Sequence, residues 1–445
     1  MTTGSDTSGA SLIRGGGILV VATMAANAGN YLLNVVLGRW LTPAEFADAN
    51  LMVTLMLLIT AVAVSLQLIG ARFAGIHAAN GAPELTASLA ASLRRRAAYG
   101  GVLVMAILAL GATTWRDFFN SESALPFVIL GLGMPAYLVQ AVGRGVMQGE
   151  LNFGPLAASF LWEMVARVAI GVVLVAAGFG VNGATVALTV SFLVTWLVVR
   201  RSEDRSRGNA GLVIAAGREA TATMWTAVRR YSAPVAVLLL GQIIINNGDV
   251  LMSKRFLEPD AAGVYAAVAL VGRAVFFMSW SVATTLFPAA TQREESGEET
   301  DSLLYGGLAV VAVLGTVATL GARLLGGQVL GRVFGEAYGG VSSELSQYAL
   351  ATAVFAMANL IVSHHLALGR VREAVLLVAG GVVQTVLLYL GRSSVDGLIR
   401  AQIVAMFILL VVVSISHMSR RREAVAAVGR PRTLSRNHRP RGAST

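Results

Sequence analysis

Apolar runs of about 20 residues, free of dense charge and of the length of a bilayer-spanning helix, recur near residues 15–37, 49–71, 97–114, 125–147, 155–178, 180–199, 231–252, 262–287, 303–322, 344–367, 373–391 and 397–417. Apolar residues follow one another within each run instead of alternating, so the spanning element is a helix and not a lipid-facing barrel strand. The pattern predicts an all-α polytopic membrane protein with about twelve transmembrane helices. Composition agrees: 13% of residues are charged and mean hydropathy is +0.70, against roughly 25% charged in a soluble domain. The chain has no cysteine, which excludes disulfides and thiolate metal sites, and its five histidines are scattered. No metal or organic cofactor is expected. The first run lacks a small-residue cleavage site and reads as a retained helix.

Basic residues orient the helices, because Lys and Arg accumulate on the cytoplasmic side. With the N-terminus inside, the cytoplasm receives Arg14, Arg72, Arg94, Arg95, Arg96, Arg144, seven arginines between 200 and 230, Arg293, Arg370, Arg372 and eight arginines in 420–441. The opposite side receives Arg39, Arg116, Lys254, Arg255, Arg323, Arg332, Arg392 and Arg400. This bias predicts a multi-pass protein of the cell (plasma or inner) membrane with both termini cytoplasmic. The acidic loop 289–302 does not oppose it, since acidic residues count little in the rule. A net charge of +10 would suggest a nucleic-acid partner in a soluble chain. Here most of it lies in 418–445, with eight arginines and one glutamate. That segment is expected to meet anionic membrane lipids, and no nucleic acid is expected.

The longest internal loop divides the chain into an N-terminal six-helix bundle (1–199), a cytoplasmic linker (200–230), a C-terminal six-helix bundle (231–417) and a basic cytoplasmic tail (418–445). Residues 39–50 read RWLTPAEFADAN and residues 255–266 read RFLEPDAAGVYA. Both place Arg, an aromatic, Leu, a variable residue and Pro in the same order, 216 residues apart, at the outer end of the first helix of each half. Such recurrence argues for a duplicated unit; the alternative is a common interfacial stop with Trp40 and Phe256 as belt residues. An even helix number per unit makes both copies enter from the same side, so the pseudo-twofold axis is expected along the membrane normal.

The segments NVVLGRWLTPAEFAD at 34–48, QLIGARFAG at 67–75 and YSAPVAVLLLGQIIINNGDVLMSKRFLEPDAAGVYAAVAL at 231–270 resemble the polysaccharide (O-antigen-type) flippase branch of the superfamily that also holds multidrug exporters and lipid II flippases. Tyr231, Ser232, Pro234, Asp249, Gly263 and Tyr265 carry the likeness around the seventh helix, and LFPAATQ at 286–292 closes the eighth. The resemblance implies translocation of a lipid-linked oligosaccharide, a sugar on a polyprenyl phosphate or pyrophosphate, by alternating access. It also implies a monomer with glycan polymerases or glycosyltransferases as neighbours. Two departures matter. Asp249-Val250 stands where an Asp-Arg pair is frequent, and Arg273 alone replaces the arginine-rich pattern of lipid II flippases, which favours another lipid-linked glycan.

A polar head crossing about 30 Å of hydrocarbon needs a polar cavity, expected between the two bundles. Intramembrane ionisable groups point to it. Glu163 and Arg167 form an i,i+4 pair, either closed on itself or with a guanidinium donor left for phosphate. Arg273 has no acidic neighbour on its own helix, so it either faces the cavity and binds substrate anion or pairs with Asp249 or Glu163 from another helix. Asp249 follows Gln242, Asn246 and Asn247, a polar stripe suited to sugar hydroxyls; Asp249 either caps the helix end or, with Glu163, couples a cation, Na+ or H+. Asn27, Asn30 and Asn34 give the first helix a matching stripe. Arg144, near Gln140, is a headgroup anchor or a substrate contact. Of His364 and His365, at most one is expected to relay protons, and Gln67, Asn359 and Gln384 are weaker candidates.

A second function class is an ion-coupled multidrug exporter of the same fold. Cationic drugs want an acidic cavity, whereas Arg167, Arg273 and Arg144 outnumber Glu163 and Asp249. A membrane glycosyltransferase would need catalytic acids and a sizeable external loop, and no phosphate-cradling Gly-x-x-x-x-Gly-Lys-Ser/Thr loop occurs. The expectation is therefore a non-enzymatic flippase. Its sequence-based test is that Arg273→Ala or Arg167→Ala blocks translocation while leaving folding intact.

Overall fold

Helices form wherever an apolar run is bounded by proline, glycine or a capping side chain. The computed structural model describes residues 6–207, 218–279, 282, 301–368 and 372–428. Among these are thirteen α-helices and no strand. The first seven are α1 (Asp6–Trp40), α2 (Pro43–Ala79), α3 (Pro83–Leu110), α4 (Ala112–Phe118), α5 (Leu125–Gly149), α6 (Phe153–Ala176) and α7 (Gly180–Arg207). They are followed by α8 (Arg218–Phe256), α9 (Pro259–Gly272), α10 (Asp301–Phe334), α11 (Ser342–Ala367), α12 (Arg372–Leu390) and α13 (Val395–Val428).

Among the described residues, nine helical spans are long and apolar enough to cross a membrane, and α3 with α4, bent by 64°, makes a tenth. All twelve expected runs fall on helices, the eighth as far as the span Pro259–Ser279 is described. Val20, Leu103, Leu110, Val173, Phe277, Val317 and Leu324 are each more than half exposed. An apolar exterior of this extent suits a lipid surround.

The helices outrun the apolar segments. The expected linker 200–230 is largely helical, because α7 continues to Arg207 and α8 begins at Arg218. The expected tail is helical to Val428. Polar stretches such as REAVAAV keep good helix formers after the last apolar turn. The acidic segment 289–300, LFPAATQ and the tail beyond 428 lie outside the described residues.

The two related segments build the same break. At the first, Thr42 is extended (ψ 159°) and Pro43 opens α2; Glu45 N donates to Thr42 Oγ1 while Thr42 N donates to Glu45 Oε2, a reciprocal cap. At the second, Glu258 is extended (ψ 148°) and Pro259 opens α9. Proline excludes the preceding residue from helical geometry and is itself at ease in the first helical turn. Each helix therefore stops on an aromatic, Trp40 or Phe256, and the next starts three residues later.

Within α1–α7, α2 and α3 lie on α5, and α6 lies on α1 and α7. The α2–α5 contact is backbone to backbone: a Cβ on Gly145 or Gly149 would overlap the carbonyl oxygens of Gln67 and Ala71. Small residues at i and i+4 permit this approach in membrane helices. Within α8–α13, α11 lies on α10 and α13, and α12 on α8 and α13.

Between the two sets, α2 meets α8 and α9, and α1 touches α10. These contacts cluster where the two breaks lie. Lys254 Nζ is 2.8 Å from Asp48 Oδ1 and donates to Asn120 O at 3.2 Å, while Asn120 Nδ2 donates to Arg255 O at 3.1 Å. Arg39 donates to Arg332 O at 2.9 Å. Phe46 packs on Phe334 and Tyr338 at ring separations of 5.9 and 6.1 Å. A Cβ on Gly263 would overlap the Pro43 carbonyl, so the two breaks are pressed together.

Candidate functional site

One turn of α6 places Glu163 and Arg167 on the same face, and α5 brings Arg144 to the other side of the carboxylate. Arg167 Nη2 lies 2.5 Å from Glu163 Oε1, and Arg144 Nη2 lies 2.8 Å from Glu163 Oε2. Arg167 also donates from Nη1 to Asn30 Oδ1 at 3.0 Å and from Nε to Ser191 Oγ at 3.3 Å. Arg144 donates from Nε to Ser159 Oγ at 2.9 Å and from Nη2 to Ser159 O at 3.0 Å, with its guanidinium 4.0 Å above the Phe160 ring. One largely buried carboxylate thus holds two guanidiniums, leaving the group one unit positive. Burial of such charges is tolerable only because each has a close partner.

This group forms part of the wall of a cavity of about 220 Å³ among α1, α2, α5 and α6. Asn27, Asn30, Gln67 and Gln140 supply further polar lining, and Thr60 and Tyr137 are bonded to each other at 2.6 Å. Gln67 donates to Gln148 Oε1 at 3.0 Å. Gln140 is 1% exposed, yet neither its Nε2 nor its Oε1 has a hydrogen-bond partner.

A second charged group lies in the other half. Asp249 is 0% exposed and accepts from Tyr348 Oη at 2.6 Å, Tyr265 Oη at 3.1 Å and Arg273 Nη2 at 3.0 Å. Arg273 also donates to Tyr348 Oη at 3.2 Å and to Asn247 Oδ1 at 3.4 Å. The network ties α8, α9 and α11 together and saturates the carboxylate.

Several expectations need correction. The described cavity lies within the N-terminal half, where α1 turns Asn27 and Asn30 toward α6. Arg167 keeps none of its three nitrogens unengaged. Arg144 is buried against Glu163 and Ser159, so it is no headgroup anchor. Arg273 takes its alternative fate, pairing with Asp249. Asp249 is neither an interfacial cap nor open to a cation or sugar, since a tyrosine pair and a guanidinium occupy it. Asn34 and Asn246 donate back to the Asn30 and Gln242 carbonyls of their own helices. Asn247 donates to Ile243 O and accepts from Arg273. Gln242 pairs with Asn359 at 2.8 Å, and Gln384 with Ile245 O at 3.1 Å. His364 and His365 are both buried, and His365 meets His417 at 3.1 Å.

Sequence reasoning missed Tyr265 and Tyr348 as ligands of Asp249, and Asp48 as the partner of Lys254.

Many apolar helices around a polar, charge-lined cavity define a multi-pass membrane protein. The chain belongs to the polysaccharide biosynthesis protein family, whose model matches residues 12–293. The resemblance drawn from 34–48, 67–75 and 231–270 therefore stands. Among solved structures, an inward-facing multidrug resistance MATE family transporter of the MOP superfamily aligns over 88% of this chain and 95% of its own, with a TM-score of 0.72 at 15% identity. Lipid II flippase MurJ in an inward closed conformation aligns over 90% and 87%, with a TM-score of 0.69 at 10% identity. A MOP superfamily transporter from Pyrococcus furiosus, described by the reverse polarity of its binding pocket, aligns over 91% and 95%, with a TM-score of 0.60 at 14% identity. These share the fold. No curated protein matches the sequence.

Proposed function

We propose that the protein is a flippase that moves a lipid-linked oligosaccharide from the cytoplasmic to the external leaflet of the cell membrane by alternating access of two six-helix units. The observation that carries this reading is the polar cavity of α1, α2, α5 and α6, in which Arg144 and Arg167 outnumber Glu163. Its surplus positive charge favours an anionic head group and disfavours the cationic substrates of a drug exporter. Membership of a polysaccharide biosynthesis family supports a glycan cargo.

The basic-residue bias supports cytoplasmic termini, which puts the Pro43 and Pro259 breaks on the external side. Contact between the halves at that end then corresponds to one closed gate, and transport requires it to part. Glu163 is the remaining candidate for coupling to H+ or Na+, because Asp249 is saturated by donors. Protonating Glu163 would loosen both arginines at once.

The test is genetic. Removing the gene should leave lipid-linked glycan in the inner leaflet and deplete surface glycan, with both restored by the wild-type protein. An unchanged glycan together with lost resistance to cationic compounds would favour the exporter instead.

A further inference from the structure

Gln140 sets a chemical requirement on whatever fills the cavity. It is 1% exposed, lines the cavity beside Arg144 and Glu163, and both atoms of its amide lack partners. A buried amide left dry is costly, so a group that reaches this one accepts from Nε2 and donates to Oε1. Phosphate oxygens that are ionised only accept, and ammonium groups only donate. A hydroxyl does both.

The arginines are already engaged. Arg167 reaches Ser191, Asn30 and Glu163, and Arg144 holds Glu163 and Ser159. A phosphate here would compete with Glu163, Ser159, Ser191 and Asn30 for every guanidinium nitrogen except Arg144 Nη1, whereas a neutral hydroxyl needs only the vacant amide. Size points the same way. A volume of about 220 Å³ falls below the roughly 300–1,000 Å³ of drug-sized pockets. Such a space is closer in size to one sugar residue than to an oligosaccharide.

We propose that this cavity is a subsite for a single neutral, hydroxyl-bearing sugar residue of the cargo, recognised by the Gln140 amide, while the phosphate remains outside it. The proposal rests on the lipid-linked glycan reading and deepens it. The arginines then act at a distance, through potential, and the sugar supplies the contact.

The experiment measures thermal unfolding of the purified full-length protein with glucose, galactose, mannose, rhamnose and N-acetylglucosamine at millimolar concentration, and with inorganic pyrophosphate as the anionic probe. At least one sugar should stabilise the wild type, with apparent affinity falling at least roughly tenfold in Gln140→Met, a variant of similar size. Pyrophosphate should affect both proteins equally. Deoxy analogues of the binding sugar, tested on the wild type alone, should identify one hydroxyl whose removal abolishes the shift, so the proposal does not depend on the variant folding. Absence of any sugar response in the wild type would overturn it and assign Gln140 to ordered water. A pyrophosphate response that depends on Gln140 would also overturn it and assign the cavity to phosphate. Sugar binding through Gln140 in a protein whose removal leaves lipid-linked glycan distribution unchanged would retain the subsite and reject the flippase. Translocation without sugar binding would do the reverse.

Discussion

Lys254 Nζ and Asp48 Oδ1 meet at 2.8 Å across the contact between α2 and α8, and each residue is only 3% exposed. Lys254 is also the only lysine in the chain. An ion pair this deeply buried holds the two halves together only while both members are present, since removing one leaves an uncompensated charge.

Because no other side-chain amine exists, Lys254 reports on this contact directly. A membrane-impermeant amine-reactive reagent should label Lys254 slowly in the wild type. Asp48→Asn should raise the labelling rate at least about tenfold, equivalent to ~1.4 kcal/mol in the opening equilibrium. Gly263→Val, which forces a side chain into the Pro43 carbonyl, should act in the same direction. Peptide mass spectrometry provides the readout, and rapid labelling of the wild type would show that the pair does not bar access.

Glu163→Gln should leave Arg144 and Arg167 without their shared carboxylate and cost about 3–5 kcal/mol, as loss of one member of a buried pair does. The unfolding temperature in detergent should fall by several degrees. Replacing all three, as Glu163→Leu with Arg144→Met and Arg167→Met, should recover most of that stability while leaving the cavity without charge. A single variant as stable as wild type would mean the carboxylate is not the hub of this group.

Arg273→Ala should behave as a folding variant, contrary to its sequence-based expectation of intact folding. It strands Asp249 at 0% exposure. Tyr348→Phe removes one donor to the same carboxylate and should cost about 1–3 kcal/mol. Size-exclusion profiles and thermal melts check both. A well-folded Arg273→Ala protein with lost translocation would return Arg273 to the substrate path.

Gly145→Leu should separate α2 from α5, because even a Cβ there meets the Gln67 carbonyl. Overpacking of this kind costs typically about 1–3 kcal/mol or more. A melt of the variant matching that of the wild type would contradict the backbone contact.

The helices were legible because lipid imposes length and continuity on each run, and proline marks their starts. Glu163 with Arg167 was legible because four residues make one helical turn. Arg144 joins that pair from another helix, and Asp48 meets Lys254 across the halves. No periodicity within a helix encodes either encounter. The polar stripes were also only half informative: spacing places Asn30 and Asn246 on helix faces, but the neighbouring helix decides that Asn30 meets Arg167 while Asn246 bonds its own backbone. Those encounters also place the described cavity among α1, α2, α5 and α6.

The most direct measurement uses vesicles reconstituted with the purified protein and a fluorescent oligosaccharide on polyprenyl pyrophosphate. An impermeant quencher should reach a growing share of the label in vesicles holding wild-type protein. The folded triple variant of Glu163, Arg144 and Arg167 should match protein-free vesicles. Wild-type vesicles that exchange label no faster than protein-free ones, or a triple variant as fast as wild type, would contradict the assignment of lipid-linked glycan translocation to this cavity.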